Sequence, residues 1–365
     1  MAASGILGTG LPGVNQYDVN KYILTPIYKG EDYMSYMDIL PNIKGTTKID
    51  HFGSAEKGTL GFNEGAFAAN ANLNDMSAVT ISPARMEFEQ EFRGAQLFGK
   101  IKGQLLKGNF EFDNVEGTQV KQILLELIGK GVQSDFNRQL WLGSTAGTDA
   151  SVGYKINDHY KEYDGLFLTA HKAMVTDYSQ NILTAGSTSG WSPGTTTTFI
   201  AADAYEILAD MYETASPALL EQPDLVFFVS GEVADRYAEH LEAQGSYMAF
   251  QQLRDGGRLA FRGIPIIVRR DWDKWVKADN GTADEAAING SHHNNSAATA
   301  VRNTPRAMLT CRNAFVVGTD WSSTAVEQWY SQDAKAYRFR VSYMIGCALT
   351  DPNLAVIYTP ITMVV

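Results

Sequence analysis

Residues 225–244 read LVFFVSGEVADRYAEHLEAQ, and residues 261–268 read FRGIPIIV. Leu225–Val229 is an unbroken apolar run of strand length. Ser230 is the kind of residue that caps a helix, and it stands just where the pattern changes. From Glu232 to Gln244 the apolar residues Val233, Tyr237 and Leu241 recur every fourth position, which puts them on one helical stripe. Gly263 then opens a second strand, Ile264–Val268. A strand, a helix and a further strand in close succession predict a mixed α+β fold.

The reading extends in both directions. Upstream, 203–215 predicts a helix with Tyr205, Leu208, Met211 and Tyr212 turned inward. The strongest helix lies at 113–142, where Val120, Leu124, Leu127, Ile128, Phe136 and Leu140 recur near helical spacing. Asp113 and Glu116 could cap its start, and it would span roughly 40 Å at ~1.5 Å per residue. Gly129 and Gly131 each cost about 1 kcal/mol relative to alanine in a helix, so a bend or break is expected there. The helix stops at Gly143. Downstream, Ala314–Val317 reads as a strand. The segment 326–365 is strand-like, with Tyr337, Phe339, Val341 and Tyr343 alternating with Arg338 and Arg340, and Leu354–Tyr358 following. Between 278 and 303 the chain is rich in Ala, Asn, Gly, Ser and Thr, a composition that predicts an exposed loop able to accept insertions.

Two segments look unable to fold alone. The first 42 residues hold Gly5, Gly8, Gly10, Pro12 and Gly13, then Tyr17, Tyr22, Tyr28, Tyr33 and Tyr36. Aromatics without a local core suit an arm that lies along another surface. Residues 43–100 read as a long projecting hairpin with a soft tip at 65–74. In its second limb Arg85, Glu87, Glu89 and Glu91 alternate with Met86, Phe88, Gln90 and Phe92, which predicts an exposed strand. Lys57, Arg85, Glu87, Glu89 and Arg93 are the candidates for contacts between subunits.

Chemistry is harder to find. The chain has 365 residues, 30 of them basic and 41 acidic, for a net charge of −11. That sign disfavours general binding to nucleic acid, because phosphate binding needs a positive field. No apolar run approaches the ~20 residues of a membrane span, and 1–13 lacks the basic and apolar parts of a secretory signal. Cys311 and Cys347 are too few for a disulfide framework and read as two reduced thiols. Gly8–Gly13 matches the dinucleotide-binding pattern of glycines, but only seven residues precede it and Pro12 interrupts it. Gly94–Lys100 imitates a phosphate loop, yet Ile101 stands where a metal-binding hydroxyl is needed. Gly186–Gly190 imitates a nucleophile elbow inside a polar run. The six histidines show no ligand spacing. No catalytic residue, metal or cofactor is expected.

The order of parts resembles the major capsid protein of tailed bacteriophages, the Hong Kong 97-type fold. The resemblance covers most of the chain. It rests on the arm, the excursion 43–100, the helix ending Phe136-Asn137-Arg138-Gln139-Leu140-Trp141-Leu142-Gly143, and the unit 225–244. It also rests on the segments 261–268 and 313–320 and the stranded end 326–358. The resemblance implies an N-terminal arm (1–42) and an extended loop (43–100). It further implies a peripheral domain with the spine helix (101–165 and 326–365) and an axial domain (166–325). It implies pentamers and hexamers that form an icosahedral shell around double-stranded DNA, held without sequence-specific binding. Portal and separate scaffolding or decoration proteins would be partners, with the product in the virion after assembly in the host cytoplasm. No long coiled-coil-like segment precedes the arm, so any scaffold is expected to be a separate chain. Two other readings stay open: an encapsulin-like nanocompartment shell, and an unrelated acidic enzyme with a dispersed site.

Overall fold

The computed structural model describes residues 32–52, 76–93, 119–145, 155–156, 162–184, 199–244, 259–279, 287–288, 305–312, 314–320, 325–331, 333–334 and 336–359. Lys57, the hairpin tip, the Asp113/Glu116 cap and most of the loop 278–303 lie outside the described residues.

In chain order the strands are β1 (Asp38–Pro41), β2 (Thr47–Phe52), β3 (Met76–Ile81), β4 (Ala84–Arg93), β5 (Lys155–Ile156), β6 (Ile182–Thr184) and β7 (Val226–Ser230). There follow β8 (Ala260–Phe261), β9 (Ile264–Arg269), β10 (Ala287–Ile288), β11 (Ala307–Thr310), β12 (Phe315–Thr319), β13 (Ala325–Ser331), β14 (Ala336–Leu349) and β15 (Ala355–Thr359). The helices are α1 (Gln119–Leu142), α2 (Leu166–Met174), α3 (Ala201–Thr214), α4 (Pro217–Leu220), α5 (Gly231–Ala243) and α6 (Arg270–Asp279). Helix and strand are mixed as the α+β reading expects.

One sheet has six strands in the order β6-β15-β11-β7-β9-β8. Every residue of β7, β11 and β15 is buried, because helices pack over the sheet. Such apolar strands are covered on both faces. The quoted stretch folds as read: β7 runs into α5, where Val233 and Tyr237 are buried and Leu241 is half-buried. Arg262 and Gly263 form the two-residue turn between β8 and β9, both with positive φ (48° and 86°), as a tight hairpin turn of this kind requires. Ser230 does stand at the head of α5, but its hydroxyl is not the cap. It accepts from the Arg306 backbone N–H just ahead of β11 (3.2 Å), and Asp273 Oδ2 takes the Glu232 N–H instead (3.0 Å). In α3, Leu208 and Met211 are buried as expected, whereas Tyr205 is 39% exposed and stacks on His240 (4.7 Å). Ala204 and Ile207 fill the inward positions.

The other large sheet is built around β14. β4 runs antiparallel along one edge of it, pairing Ala84–Arg93 with Ala336–Ile345. The opposite edge carries β13 and then β12, and β1 joins β12 in parallel. Three expectations change here. First, β4 is not a free hairpin limb: β3 alone pairs with β2, and the strand is interrupted at Ser82-Pro83 before β4 joins β14. Second, the arm does not extend to residue 42. Met34 and Met37 are buried, Tyr36 meets Phe228 edge-on (6.1 Å), and Asp38–Pro41 is a sheet strand. Third, the sheets cut across the expected boundary at 325/326. β12 lies with β14, while β15 lies in the six-stranded sheet between β11 and β6.

α1 crosses the inner face of the β14 sheet without the expected break. Gly131 explains its presence in a continuous helix: a Cβ there would lie 3.1 Å from the Phe88 ring of β4. The glycine lets the helix approach the sheet closely, and packing offsets its propensity cost. Ile128, Phe136 and Leu140 are buried, and Phe136 contacts Tyr343 (5.9 Å), but Leu127 is 54% exposed. At its end Trp141 packs among Phe228, Trp272 and Phe167 (5.3, 5.0 and 6.3 Å), joining α1 to the six-stranded body.

Candidate assembly surface

The outer face of the β14 sheet carries charge because β4 and β14 alternate in phase. Met86, Phe88 and Phe92 of β4 turn inward with Phe339, Val341 and Tyr343 of β14. Arg85, Glu87, Glu89 and Glu91 therefore share the outer face with Arg338 and Arg340. The register sets Glu91 opposite Arg338 and Glu89 opposite Arg340. Arg338 Nε donates to Glu91 Oε2 (3.0 Å), and both Nε and Nη2 of Arg340 reach Glu89 Oε1 (2.7 and 2.6 Å). On the far edge Glu327 of β13 lies 3.9 Å from Arg340, whose guanidinium sits over the Trp329 ring (5.9 Å). The hydrogen bond to Glu89 raises the Arg340 pKa, so this cation keeps its charge at any ordinary pH. Arg85 and Glu87 pair along the strand at 3.4 Å, with side chains 67% and 43% exposed.

Of the five candidates, the fold thus brings Arg85, Glu87 and Glu89 onto one open face. Arg93 ends β4 opposite Ala336, with its side chain outside the described residues, and Lys57 is outside altogether. Glu91, Glu327, Trp329, Arg338 and Arg340 belong to the same face and were not among the candidates. The Arg338/Arg340 alternation was visible in the sequence. What was missing was the register that sets it against β4.

A second charged feature is a groove of about 440 Å³ between α5 and α6. Arg270 grips Asp235 through two parallel bonds (Nη2–Oδ1 2.8 Å, Nη1–Oδ2 3.1 Å), which raises the arginine pKa. Asp273 holds the head of α5 from the opposite wall. These ions fasten one helix to the other, the usual use of a forked arginine contact.

One set of buried and half-buried titratable groups lies where α1, α2 and β14 meet. The Tyr163 hydroxyl bonds the Cys347 backbone N–H, and burial drives its pKa far up. Burial also raises the Cys347 thiol to about 11, so it stays protonated and is not the thiolate that nucleophilic chemistry needs. Burial opposes ionisation of Asp164, but hydrogen bonds from Lys172 (2.7 Å) and Thr145 outweigh it and hold the carboxyl below its ordinary range. Among the described residues no group of three or more His, Cys, Asp or Glu could hold a metal ion, and no helix is long and apolar enough to cross a membrane.

A long helix laid across one sheet, a second sheet buried under helices, and a two-stranded ribbon leading away from the first define the α+β architecture. It is the Hong Kong 97-type capsid fold, and the chain has that fold. No family model matches the sequence, and no curated protein matches it. The similarity lies in solved structures. A chain of the satellite phage P4 procapsid including size determination (Sid) protein matches at TM-score 0.52 and 12% identity, over 96% of this chain and 92% of that one. A chain from the capsid of a native GTA particle matches at TM-score 0.52 and 10% identity, over 90% and 95%.

Proposed function

We propose that this chain is a major capsid protein that assembles into pentamers and hexamers and so forms the icosahedral shell of a tailed bacteriophage around double-stranded DNA. The observation that carries the reading is a fold shared with a procapsid chain over 96% of this one. The open charged face of the β14 sheet supports it, since surfaces of this kind steer association and fix register between partners. On this reading Arg85, Glu87 and Glu89, with Lys57 and Arg93, meet neighbouring subunits. The β14 sheet with the long helix α1 serves as the peripheral domain, and the six-stranded sheet, β15 included, with its helices as the axial one. Portal protein and separate scaffolding or decoration chains complete the particle, which is assembled in the host cytoplasm. The chain works by packing, not by catalysis.

The test is direct. Purified protein examined by light scattering and electron microscopy over a range of salt should give rings or closed particles. A monodisperse monomer at high concentration would reject the proposal. Particles from producing cells should hold nuclease-protected DNA; particles filled with protein instead would move the assignment to a nanocompartment.

A further inference from the structure

Two glycines face one another across the β12–β14 pairing: Gly318 is the register partner of Gly346. Glycine inside a strand weakens it and marks a place where another part of the chain comes close. Here the visitor is the base of the β2–β3 ribbon. A Cβ on Gly346 would lie 2.7 Å from Ile81 Cγ2 and 3.3 Å from the Pro83 backbone, and one on Gly318 would lie 2.8 Å from Ile43 Cδ1. Ile43 and Ile81 stand at the two ends of the ribbon, one before β2 and one closing β3. With Val316 and Ala348 they form a small buried cluster separate from the main core, which Leu40, Ile49 and Val79 flank. The Ile43 N–H also bonds the Thr319 carbonyl (3.1 Å). Both connections between ribbon and body therefore pass over one bare patch of backbone.

We infer that the Gly318–Gly346 pair is a seat on which the ribbon is mounted, so that filling the seat releases the ribbon while the body stays folded. The separation of the two apolar clusters is the physical reason: the ribbon's attachment is its own cooperative unit, able to open below the global free energy. The two glycines are not equivalent. The atom nearest to Gly318 is the end of a flexible side chain that can swing away, with Ile81 Cγ2 farther off at 3.3 Å. The atom facing Gly346 is a branch methyl on Ile81, stiff at χ1, with the Pro83 backbone beside it. Gly346 is the stringent half of the seat. The inference goes beyond the shell reading, for which the ribbon's angle to the body would set how neighbours engage.

Hydrogen exchange on the full-length, unassembled chain tests it. Gly346→Ala should speed exchange at 47–52 and 76–81 about ten-fold while 226–230 and 307–310 keep their protection. Gly318→Ala should act in the same direction and more weakly, and it serves where Gly346→Ala yields no soluble protein. Because the colliding methyl is absent in Ile81→Ala, adding Gly346→Ala to that variant should change ribbon exchange by less than about three-fold, a non-additivity expected of groups in contact. Unchanged ribbon exchange in both glycine variants, equal acceleration in ribbon and body, or full additivity with Ile81→Ala would overturn the seat. Whether wild-type protein forms particles bears on the shell reading alone.

Discussion

The two sheets of this molecule are made from similar strands yet face different surroundings. In the six-stranded sheet β7, β11 and β15 are buried at every position, whereas β4 and the part of β14 beside it, around Arg338 and Arg340, bury one side and carry charge on the other. The first sheet is therefore held by packing and has little left to offer a partner. The second is held by its inner face against α1 and by the ribbon base over Gly346 and Ala348, which leaves the outer face around Arg338 and Arg340 able to carry charge at small cost to folding. On the proposed shell function, stability and association fall to different surfaces of the chain, and substitutions should separate them.

The largest effect should come from Trp141→Ala. Trp141 is fully buried where α1 meets the six-stranded body, and its removal should cost about 3–5 kcal/mol in denaturant unfolding. If the loss is under about 1 kcal/mol, the two sheets do not share one core through this residue. Next comes the joint itself. A Cβ on Gly143 would run into the backbone carbonyls of Tyr163 and Gln139. Gly143→Ala should cost about 1–3 kcal/mol and lower the melting temperature without altering the charged face.

A smaller effect depends on pH. His171 is buried in α2, and burial lowers its pKa from 6.5 because the charged form is disfavoured. Above that value folded and unfolded chains are both neutral here and stability is full. As pH falls below it, the unfolded chain takes a proton that the folded chain refuses, so stability drops until the folded pKa is passed. The melting temperature should decline from pH 7 to pH 5, and His171→Leu should flatten that decline. Equal slopes for the two proteins would show that the imidazole is not the titrating group.

The smallest effect on folding should be Glu89→Arg or Arg340→Glu. Exposed ion pairs contribute little to stability, so neither change should move the melting temperature measurably. Both should reduce particle yield, and the double exchange should recover it where the pair acts as a unit. A marked fall in melting temperature would place this face with the core and dissolve the contrast between the sheets.

Local pattern was enough for some of this and not for the rest. The run 225–244 declared a strand and a helix because an unbroken apolar run and a four-residue stripe are properties of consecutive residues. The charged alternation of 85–91 was equally plain, but alternation does not name its partner. Glu91 meets Arg338 across 247 positions of sequence, a distance over which no local rule acts. The same gap misled the reading of Ser230, whose hydroxyl turns to the Arg306 backbone, and of Gly131, which looked like a break until Phe88 stood beside it. By itself the sequence determined the long helix α1, the succession β7–α5–β9 and the sidedness of β4 and β14, since these follow from side-chain periodicity along the chain. Only the tertiary structure decided the placement of β12 and β15, the in-register charges of the candidate surface, and the role of Gly318 and Gly346. Each of these depends on which distant segments come into contact, and for the glycines on a side chain that is not there.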